Sequence, residues 1–470
     1  MALPPWAAFL LSVVLITAVF LKTIVSRGRC AYNLPLGLQP WPIIGNLNLI
    51  GELPHRSIHE LSKLYGHLMQ LRFGSMPVVV GSSAEMARFF LKTNDAAFSD
   101  RPTLSIGKYT AYDSSDIMWS QYGAYLRQAR RICAMELFSA RRLESFEYIR
   151  DEEVRGMLRD LRAASGTGRV VRLRGYLQMM TLGVISRMVL GKKYIQEEAA
   201  AEDGSPPVLT PAEFREMGYV GRMKRASSMF DQFLNHILDE HNQRRRLEGE
   251  GFVVRDMVDV LLQLADDPNL EAQLSRDNVK ALTQWAISEL LKNPKSLAKA
   301  TEELDRVVGR ECLVTERDFP HLPYMEAVLK ETLRLHPVAP VLAPHLARED
   351  PSVDGYDIPA GTTVFVNVWS IGRDPALWDA PEEFCPAQFI GSEVDVKGQD
   401  FELLPFGSGQ RMCPRLSLAP KVILLSIANL LRCFTWRLPD GTTVEQLSME
   451  ETFLLAMPRK IPLEAVIDPI

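Results

Sequence analysis

The chain has 470 residues, of which 47% are hydrophobic and 24% charged, and its formal net charge is −5. A chain of this length can bury a large core, and its lack of a basic excess argues against a nucleic-acid-binding function. No paired spacing links the six cysteines, so neither a disulfide framework nor a zinc site is indicated, and a reducing compartment fits best. These cysteines are Cys30, Cys133, Cys312, Cys385, Cys413 and Cys433.

The chain begins with an apolar run. Ala2 to Leu21 carries no charge, is long enough to cross a bilayer as a helix, and is followed by Lys22, Arg27 and Arg29. Basic residues on this flank predict that the rest of the chain lies in the cytosol. A cleaved signal peptide is the alternative, but the run is longer than the usual apolar core and lacks a basic leader. We therefore expect an uncleaved anchor.

The segments that follow predict a small domain of helix and sheet. Leu68 to Phe73 and Met76 to Val80 alternate like two strands around the Gly74-Ser75 turn. Ser57 to Tyr65 before them and Ala84 to Lys92 after them have helical patterns. A small unit of helices and two strands is therefore expected at the start of the globular part.

The middle of the chain has helical patterns. The first, Gln121 to Phe138, carries Arg127, Arg130 and Arg131, which as a bare pattern indicate a solvated basic face. An acidic, proline-containing surface loop from Glu197 to Pro211 interrupts the series. The other predicted helices are Glu152 to Ala163, Gly175 to Leu190 and Gly218 to Arg244.

A further helix, Tyr324 to Leu335, carries a possible ion pair. Glu331 and Arg334 are three residues apart and therefore neighbours on the helix surface. Taken alone, such a pair is most often exposed and contributes little to stability. Val364 to Trp369, further along, predicts a strand.

The segment from Pro405 to Leu418 contains the most specific motif. Phe406, Gly409, Arg411 and Cys413 lie at offsets 0, 3, 5 and 7, and the apolar run Leu416 to Leu431 that follows predicts a buried helix. A cysteine at a helix N-terminus has a lowered pKa, which suits its thiolate to bind a metal. The alternative is an inert, buried cysteine in a glycine-rich turn.

The pattern Phe-x-x-Gly-x-Arg-x-Cys resembles the haem-binding loop of the cytochrome P-450 superfamily. The resemblance implies a mostly α fold with a small β subdomain and haem b as the cofactor. It also implies that Cys413 ligates the iron, Phe406 shields its sulfur and Arg411 reaches a haem propionate. The runs 372–378 (Gly-Arg-Asp-Pro-Ala-Leu-Trp) and 400–407 (Asp-Phe-Glu-Leu-Leu-Pro-Phe-Gly) are similar to plant microsomal hydroxylases of the flavonoid 3'-hydroxylase-like group.

Further cofactor-binding residues follow from the same resemblance. It implies a propionate contact for Arg130, although Leu126 replaces the tryptophan that the family has nearby. His345 is either another propionate contact or a capped loop histidine. Glu331 and Arg334 resemble the family's buried Glu-x-x-Arg pair, and Gln388 replaces a second arginine that normally joins it, so we expect the Glu331 carboxylate to lose a charged partner.

Two internal segments of the family are missing. One lies between Met217 and Gly218, and the other between Gln284 and Trp285, where the family's long central helix carries Ala/Gly-Gly-x-x-Thr. The missing segment truncates the central helix. Because the missing motif relays protons during oxygen activation, no catalytic residue is identified.

The cysteine loop itself departs twice from the family pattern. Arg415 replaces a glycine that follows the cysteine, with an expected strain of about 1 to 3 kcal/mol. Pro420 is expected inside the following helix at a cost of about 3 kcal/mol.

The resemblance implies a monooxygenase that hydroxylates a hydrophobic plant metabolite, flavonoid-like or terpenoid-like, with O₂ and electrons from an NADPH-cytochrome reductase. We expect an anchor at residues 1–21, a basic and proline-rich hinge at 22–47 and the haem domain at 48–470, in a single-pass protein of the endoplasmic reticulum membrane with a cytosolic body. The alternative is an inactive haem-binding or misfolded product of a decayed or mis-joined gene.

Overall fold

The structure is a computed structural model that describes residues 32–166, 169–193, 218–265, 286–414, 416–454 and 456–470. Before residue 32 it describes only Trp6, Leu10, Val13, Val14, Leu15 and Thr17, which are helical. The predicted anchor as a whole, the 197–211 loop, both junctions of the missing segments and Arg415 therefore lie outside the described residues. Among the described residues, no helix has both the length and the apolar character that a bilayer span requires.

Helix is the commonest secondary structure among the described residues, as predicted for a mostly α fold. Residues 286–292 are also helical. The named α-helices are α1 (Pro54–Tyr65), α2 (Ala84–Arg88), α3 (Ser105–Thr110), α4 (Ala124–Ile132), α5 (Ala140–Ser145), α6 (Glu147–Ala164), α7 (Leu173–Leu190), α8 (Tyr219–Glu248), α9 (Met257–Ala265), α10 (Pro294–Val307), α11 (Pro323–Leu335), α12 (Val368–Ile371) and α13 (Ala419–Cys433).

The strands are short and form small sheets. They are β1 (Leu68–Phe73), β2 (Met76–Gly81), β3 (Val170–Arg172), β4 (His345–Leu346), β5 (Ser352–Val353), β6 (Tyr356–Asp357), β7 (Thr363–Val366), β8 (Phe434–Arg437) and β9 (Glu464–Pro469). The first sheet has the order β1-β2-β7-β4, in which β1 and β2 form the predicted hairpin and β7 joins β2 in parallel, with Val79 opposite Val364. The second sheet has the order β3-β9-β8, and β5 pairs with β6.

The larger hydrophobic core surrounds α13. Residues 422–432 of this helix are buried on every side, which explains why its sequence is almost continuously apolar. Helices α6, α10 and α11 pack around it. A second core packs Phe90 and Phe98, whose ring centroids are 4.9 Å apart, against Val364 of the first sheet. Both cores include residues just before the cysteine loop, Leu403 in the larger and Leu404 in the second, and the larger core continues after the loop at Leu418.

Two predictions about the secondary structure are wrong. The predicted strand Val364 to Trp369 ends at Val366, because the Asn367 side chain accepts a hydrogen bond from the Ser370 N–H and begins α12. Trp369 therefore lies on a short helix. Pro420 does not interrupt a helix either, since α13 begins at Ala419 and Pro420 lies in its first turn, where no intrahelical N–H bond is lost.

Two predicted helices continue in a different geometry. The predicted helix Ala84 to Lys92 is α-helical only as α2 and then forms a π-helical turn over Phe89–Thr93. The predicted arginine-bearing helix is likewise α-helical as α4 and continues as a π-helical turn over Cys133–Leu137. Both segments are therefore helical as predicted, but the hydrogen-bond pattern changes from α-helical to π-helical partway along each.

Candidate functional site

The cysteine loop forms a closed turn. The Cys413 backbone N–H donates to the Phe406 carbonyl at 2.9 Å, which joins the first and last residues of the motif. Gly409 has a φ of 67°, and a Cβ there would lie 2.2 Å from the Leu91 carbonyl oxygen. Both observations require glycine at this position. Helix α13 begins at Ala419, six residues after Cys413, so the prediction that this cysteine lies at a helix N-terminus is wrong.

Three arginines from different parts of the chain surround this loop. Arg411, within the loop, donates from Nε to the Ser99 carbonyl at 2.6 Å. Arg130 on α4 donates from Nη2 to the Met412 carbonyl at 2.6 Å. Arg101 donates from Nη1 to the carbonyls of residues 343 and 344 at 2.9 and 2.6 Å. Backbone carbonyls thus hold all three guanidinium groups beside the loop.

The charge of this arginine cluster is not balanced by ion pairs. Within the described ranges, none of Arg101, Arg130 and Arg411 has a carboxylate within ion-pair distance. Burial and the neighbouring Arg411 charge lower the pKa of Arg101 to about 9. Burial lowers the pKa of Arg411 to about 10, although Asp100 opposes the shift. An anion placed here would stabilise the cluster.

One buried donor in the cluster has no partner. Arg411 Nη1 and Ser120 Oγ are both buried and make no hydrogen bond. An unsatisfied buried donor costs roughly 1 to 3 kcal/mol, and more when it is charged. The loop therefore presents a thiol together with an unsatisfied guanidinium donor.

His345 lies beside the same arginines but is already bonded. It is the first residue of β4, and its Nδ1 lies 2.7 Å from the Phe98 carbonyl, which only accepts. Burial and the Arg101 charge lower the pKa of His345 to about 3, so the ring is neutral at physiological pH. In that state its Nε2 is an acceptor rather than a donor. Its role as a propionate contact stays a prediction.

The Glu331–Arg334 pair is fully buried. Arg334 donates from Nε and Nη2 to the two Glu331 oxygens at 2.6 and 2.8 Å, and it also bonds carbonyls of residues 372, 381 and 383. These bonds fix α11 to the segment that follows α12. The pair is therefore structural and not an exposed ion pair.

Two features of the structure were not predicted. Arg101 was missed because a single arginine before a proline carries no distinctive pattern.

The second unpredicted feature is an ion-pair cluster around Glu451. Glu451 Oε2 lies 2.9 Å from His55 Nε2, and Glu451 Oε1 accepts a hydrogen bond from Arg56. Burial alone would raise the pKa of Glu451, but these hydrogen bonds lower it to about 2. The residues are almost 400 positions apart, so no local signal links them.

The sequence profile described as Cytochrome P-450 matches residues 35–203 and 214–463. The chain belongs to the cytochrome P-450 family. Family members are haem-thiolate monooxygenases with haem b as their cofactor, and the recognition made from the cysteine loop is confirmed.

Plant proteins of this P-450 family are among its relatives. Dimethylnonatriene synthase of Zea mays is 45% identical over 94% of this chain and 93% of its own. Trimethyltridecatetraene synthase of Zea mays is also 45% identical, over 98% of this chain and 94% of its own. Flavonoid 3'-monooxygenase of Petunia hybrida is 38% identical over 97% of both chains.

Solved P-450 structures share the fold. A zebrafish cytochrome P-450 with abiraterone has a TM-score of 0.73 and 25% identity, covering 89% of this chain and 100% of that chain. A zebrafish cytochrome P-450 with progesterone has the same TM-score and 26% identity. The mostly α fold with a small β subdomain is thereby confirmed.

The residues of the loop fit a P-450 haem. Haem b needs one axial thiolate and cations for its two propionates. The loop supplies a thiol, and beside it lie two buried arginines, Arg101 and Arg411, and the partly buried Arg130, which lack carboxylate partners in the described chain. When bound, the haem supplies the binding and activation of O₂. The protein supplies the ligand, the orientation and the exclusion of water.

Proposed function

We propose that the chain is a haem-thiolate monooxygenase that hydroxylates a hydrophobic plant secondary metabolite, using O₂ and electrons from an NADPH-cytochrome reductase. The observation that carries this proposal is the turn closed by Phe406 and Cys413, beside a guanidinium donor of Arg411 that has no partner. A thiolate and an anion site at one loop match the two needs of haem b.

Each site residue has a distinct role in this proposal. Cys413 ligates the iron, and Phe406 packs beside its sulfur. Arg411 and Arg130 bind the propionates, with Arg101 adding positive charge. Three further residues support the loop: Gly409 by its close approach to Leu91, and Glu331 with Arg334 by fixing α11. His345 contributes a neutral ring next to Arg101.

The relatives favour a terpenoid-like substrate over a flavonoid-like one. The two synthases named for a branched triene and tetraene are each 45% identical to this chain, whereas the Petunia flavonoid 3'-monooxygenase is 38% identical. A substrate pocket for such hydrocarbons requires apolar surface with few polar groups. We infer a branched, unsaturated hydrocarbon-like substrate.

We further propose that oxygen activation by this chain is impaired. The alignment with trimethyltridecatetraene synthase runs over 521 positions, more than the 470 residues of this chain, so it contains gaps on the side of this chain. The gaps support the prediction that segments of the family are missing from this chain, of which the one between Gln284 and Trp285 would affect oxygen activation. The alternative function, an inactive haem-binding or misfolded product of a decayed or mis-joined gene, rests on the same observation.

The remaining parts of the proposal concern location. Residues 1–21 anchor the protein in the endoplasmic reticulum membrane, 22–47 form the hinge, and 48–470 form the cytosolic haem domain. The uncharged run from Ala2 to Leu21 and its basic flank support this arrangement. Alkaline carbonate extraction should leave the full-length protein in the membrane pellet, and release into the supernatant would contradict it.

The proposed function is tested by product formed per NADPH consumed, with the reductase present and with branched polyene and flavonoid substrates. A red-shifted Soret band of the reduced CO complex with little coupled product supports an impaired monooxygenase. No haem uptake at all supports the non-enzyme alternative. Sequencing the transcript across the codons of Gln284 and Trp285 decides whether the chain as written is the one that is made.

A further inference from the structure

Three buried side chains outside the cysteine loop form a cluster of metal-ligand type. His241 lies on α8, Asp256 directly precedes α9, and Asp259 lies in its first turn. Their nearest potential ligand atoms lie within 4.8 Å of one another. His241 is 3% exposed and both aspartates are fully buried. Among the residues that the structure describes, no other group of three or more histidines, cysteines or carboxylates has its potential ligand atoms this close together.

The histidine is oriented as a metal ligand. Its Nδ1 lies 2.8 Å from the Ile237 carbonyl, and its Nε2 lies 3.0 Å from Asp256 Oδ2. A carbonyl only accepts, so Nδ1 carries the proton in the neutral ring and the lone pair of Nε2 points to the carboxylates. Metal-binding histidines typically donate their other ring N–H to a carbonyl in this way.

The carboxylates are only partly satisfied. Asp256 Oδ1 accepts from the Asp259 N–H at 2.9 Å, and Asp259 Oδ2 accepts from the Arg255 N–H at 2.8 Å. Asp259 Oδ1, by contrast, is buried and has no hydrogen-bond partner. Leaving a buried carboxylate oxygen bare is costly, and a cation in the cluster would remove that cost.

Two groups compete with a metal for these oxygens. A second proton on His241 would satisfy its contact with Asp256, and Arg244 donates to Asp259 while its Nη1 lies 3.9 Å from Asp256. The Arg244 side chain is 25% exposed, its guanidinium lies 5.6 Å from the Phe252 ring centroid, and its Nε has no partner. Arg244 is thus only partly buried and can turn toward solvent when a cation takes its place beside Asp259, while the three ligands are held by backbone bonds.

We propose that His241, Asp256 and Asp259 bind one zinc ion. One imidazole nitrogen and two carboxylate oxygens with a water are a ligand set that Zn²⁺ accepts, and the buried, neutralising environment favours a divalent cation. The ion replaces the second proton on His241. It cross-links the end of α8 to the start of α9 across the connecting residues 249–256.

The test is the zinc content of the purified full-length protein, measured by mass spectrometry after chelation and reloading with zinc alone. We expect about one zinc per chain in addition to haem iron, and at least a tenfold lower zinc affinity in His241→Gln and in Asp259→Asn. His236→Gln removes an exposed histidine of the same helix and should change nothing. Arg244→Gln removes the competing cation but no ligand, so the zinc affinity should be unchanged or higher.

X-ray absorption at the zinc edge distinguishes this site from the cysteines. Nitrogen and oxygen ligands at about 2.0 to 2.2 Å, with no sulfur, are expected. The proposal is overturned if reloaded wild-type protein holds no zinc, if His241→Gln and Asp259→Asn hold as much as wild type, or if sulfur ligands dominate. Circular dichroism shows which variants fold, and one folded ligand variant is enough to decide.

Discussion

The Gln388 side-chain amide donates a hydrogen bond to the Glu331 carboxylate at 2.8 Å, at the position where the family carries an arginine. The same carboxylate accepts two bonds from Arg334 and one from the Cys385 backbone N–H at 2.6 Å. Glu331 therefore keeps a charged partner and has four hydrogen bonds. The Gln388 amide thus supplies a hydrogen bond but not the second positive charge that an arginine would bring.

Removing the charge of Arg334 should destabilise the protein strongly. Arg334→Gln leaves the fully buried Glu331 carboxylate uncompensated, which typically costs about 3 to 5 kcal/mol. The measurement is the free energy of unfolding in urea. Glu326→Gln on the same helix is the matched control, because Glu326 is 52% exposed and pairs with Lys330, so its loss should cost less than about 1 kcal/mol. Equal effects of the two substitutions would contradict a structural role for the buried pair.

Cys413→Ser should abolish the red-shifted Soret band of the reduced CO complex, since a hydroxyl does not replace a thiolate as the axial ligand. The matched controls are Cys385→Ser and Cys433→Ser, two partly buried cysteines outside the loop. Both should keep the band. If the band survives in Cys413→Ser and disappears in one of the controls, the axial ligand has been assigned to the wrong cysteine.

Arg411→Gln and Arg130→Gln should weaken haem retention by about tenfold or more each, because a charge-assisted hydrogen bond contributes roughly 1.5 to 3 kcal/mol. The rate of haem transfer to an excess of apomyoglobin measures this directly. Arg131→Gln is the control, since Arg131 is exposed on the same predicted basic face as Arg130. Retention unchanged in the first two variants would show that the arginine cluster does not hold the propionates.

Stability should fall in acid through Glu451. Its pKa in the folded protein is about 2 and its ordinary value is 4.5, so its stabilising contribution is complete above about pH 4.5 and is lost as the pH falls toward 2. The shift corresponds to about 3 kcal/mol. Urea unfolding between pH 6 and pH 3 measures the loss.

The matched variant for this pH dependence is Glu451→Gln, which should be less stable at pH 6 and show a shallower decline toward pH 3. Other carboxylates with lowered pKa, such as Glu316, titrate in both proteins and cancel in the comparison. Identical slopes in the two proteins would assign the acid sensitivity to other groups.

Inserting the family's missing helical segment between Gln284 and Trp285 should raise coupled turnover. Positioned proton transfer commonly contributes about 10² to 10⁴ in rate, and the threonine motif that would provide it is missing from the sequence. Arg415→Gly alone should not restore turnover, because it repairs the loop and not the proton relay. Well-coupled turnover by the unmodified chain would refute the proposed impairment.

The sequence predicted most helices and the first hairpin because their periodic patterns are local. It failed where a boundary depends on one contact, as at Asn367, whose cap ends β7 and places Trp369 on a helix. It also placed the start of the last helix too early, so that Pro420 was expected in the interior of a helix that begins at Ala419. Apolar patterns define which residues are buried but not the residue at which a helix begins.

The functional loop was predictable for a different reason. Its four motif residues lie within eight positions, and the turn that joins Phe406 to Cys413 is local. Arg101 and the Glu451 cluster were missed because their partners come from distant parts of the chain. The charge balance of a buried site depends on contacts between distant segments, so it cannot be predicted from the identity of a single residue.

The parallel pairing of β2 with β7 has a consequence for synthesis of the protein. Val78 pairs with Thr363, which leaves the ribosome about 285 residues later. At about 5 to 20 residues per second, the apolar β2 strand has an open edge for roughly 15 s to a minute. During that time it is a template for pairing with other nascent chains. Chaperone capture of ribosome-bound chains that end before residue 363 is therefore expected to protect the newly made protein from aggregation.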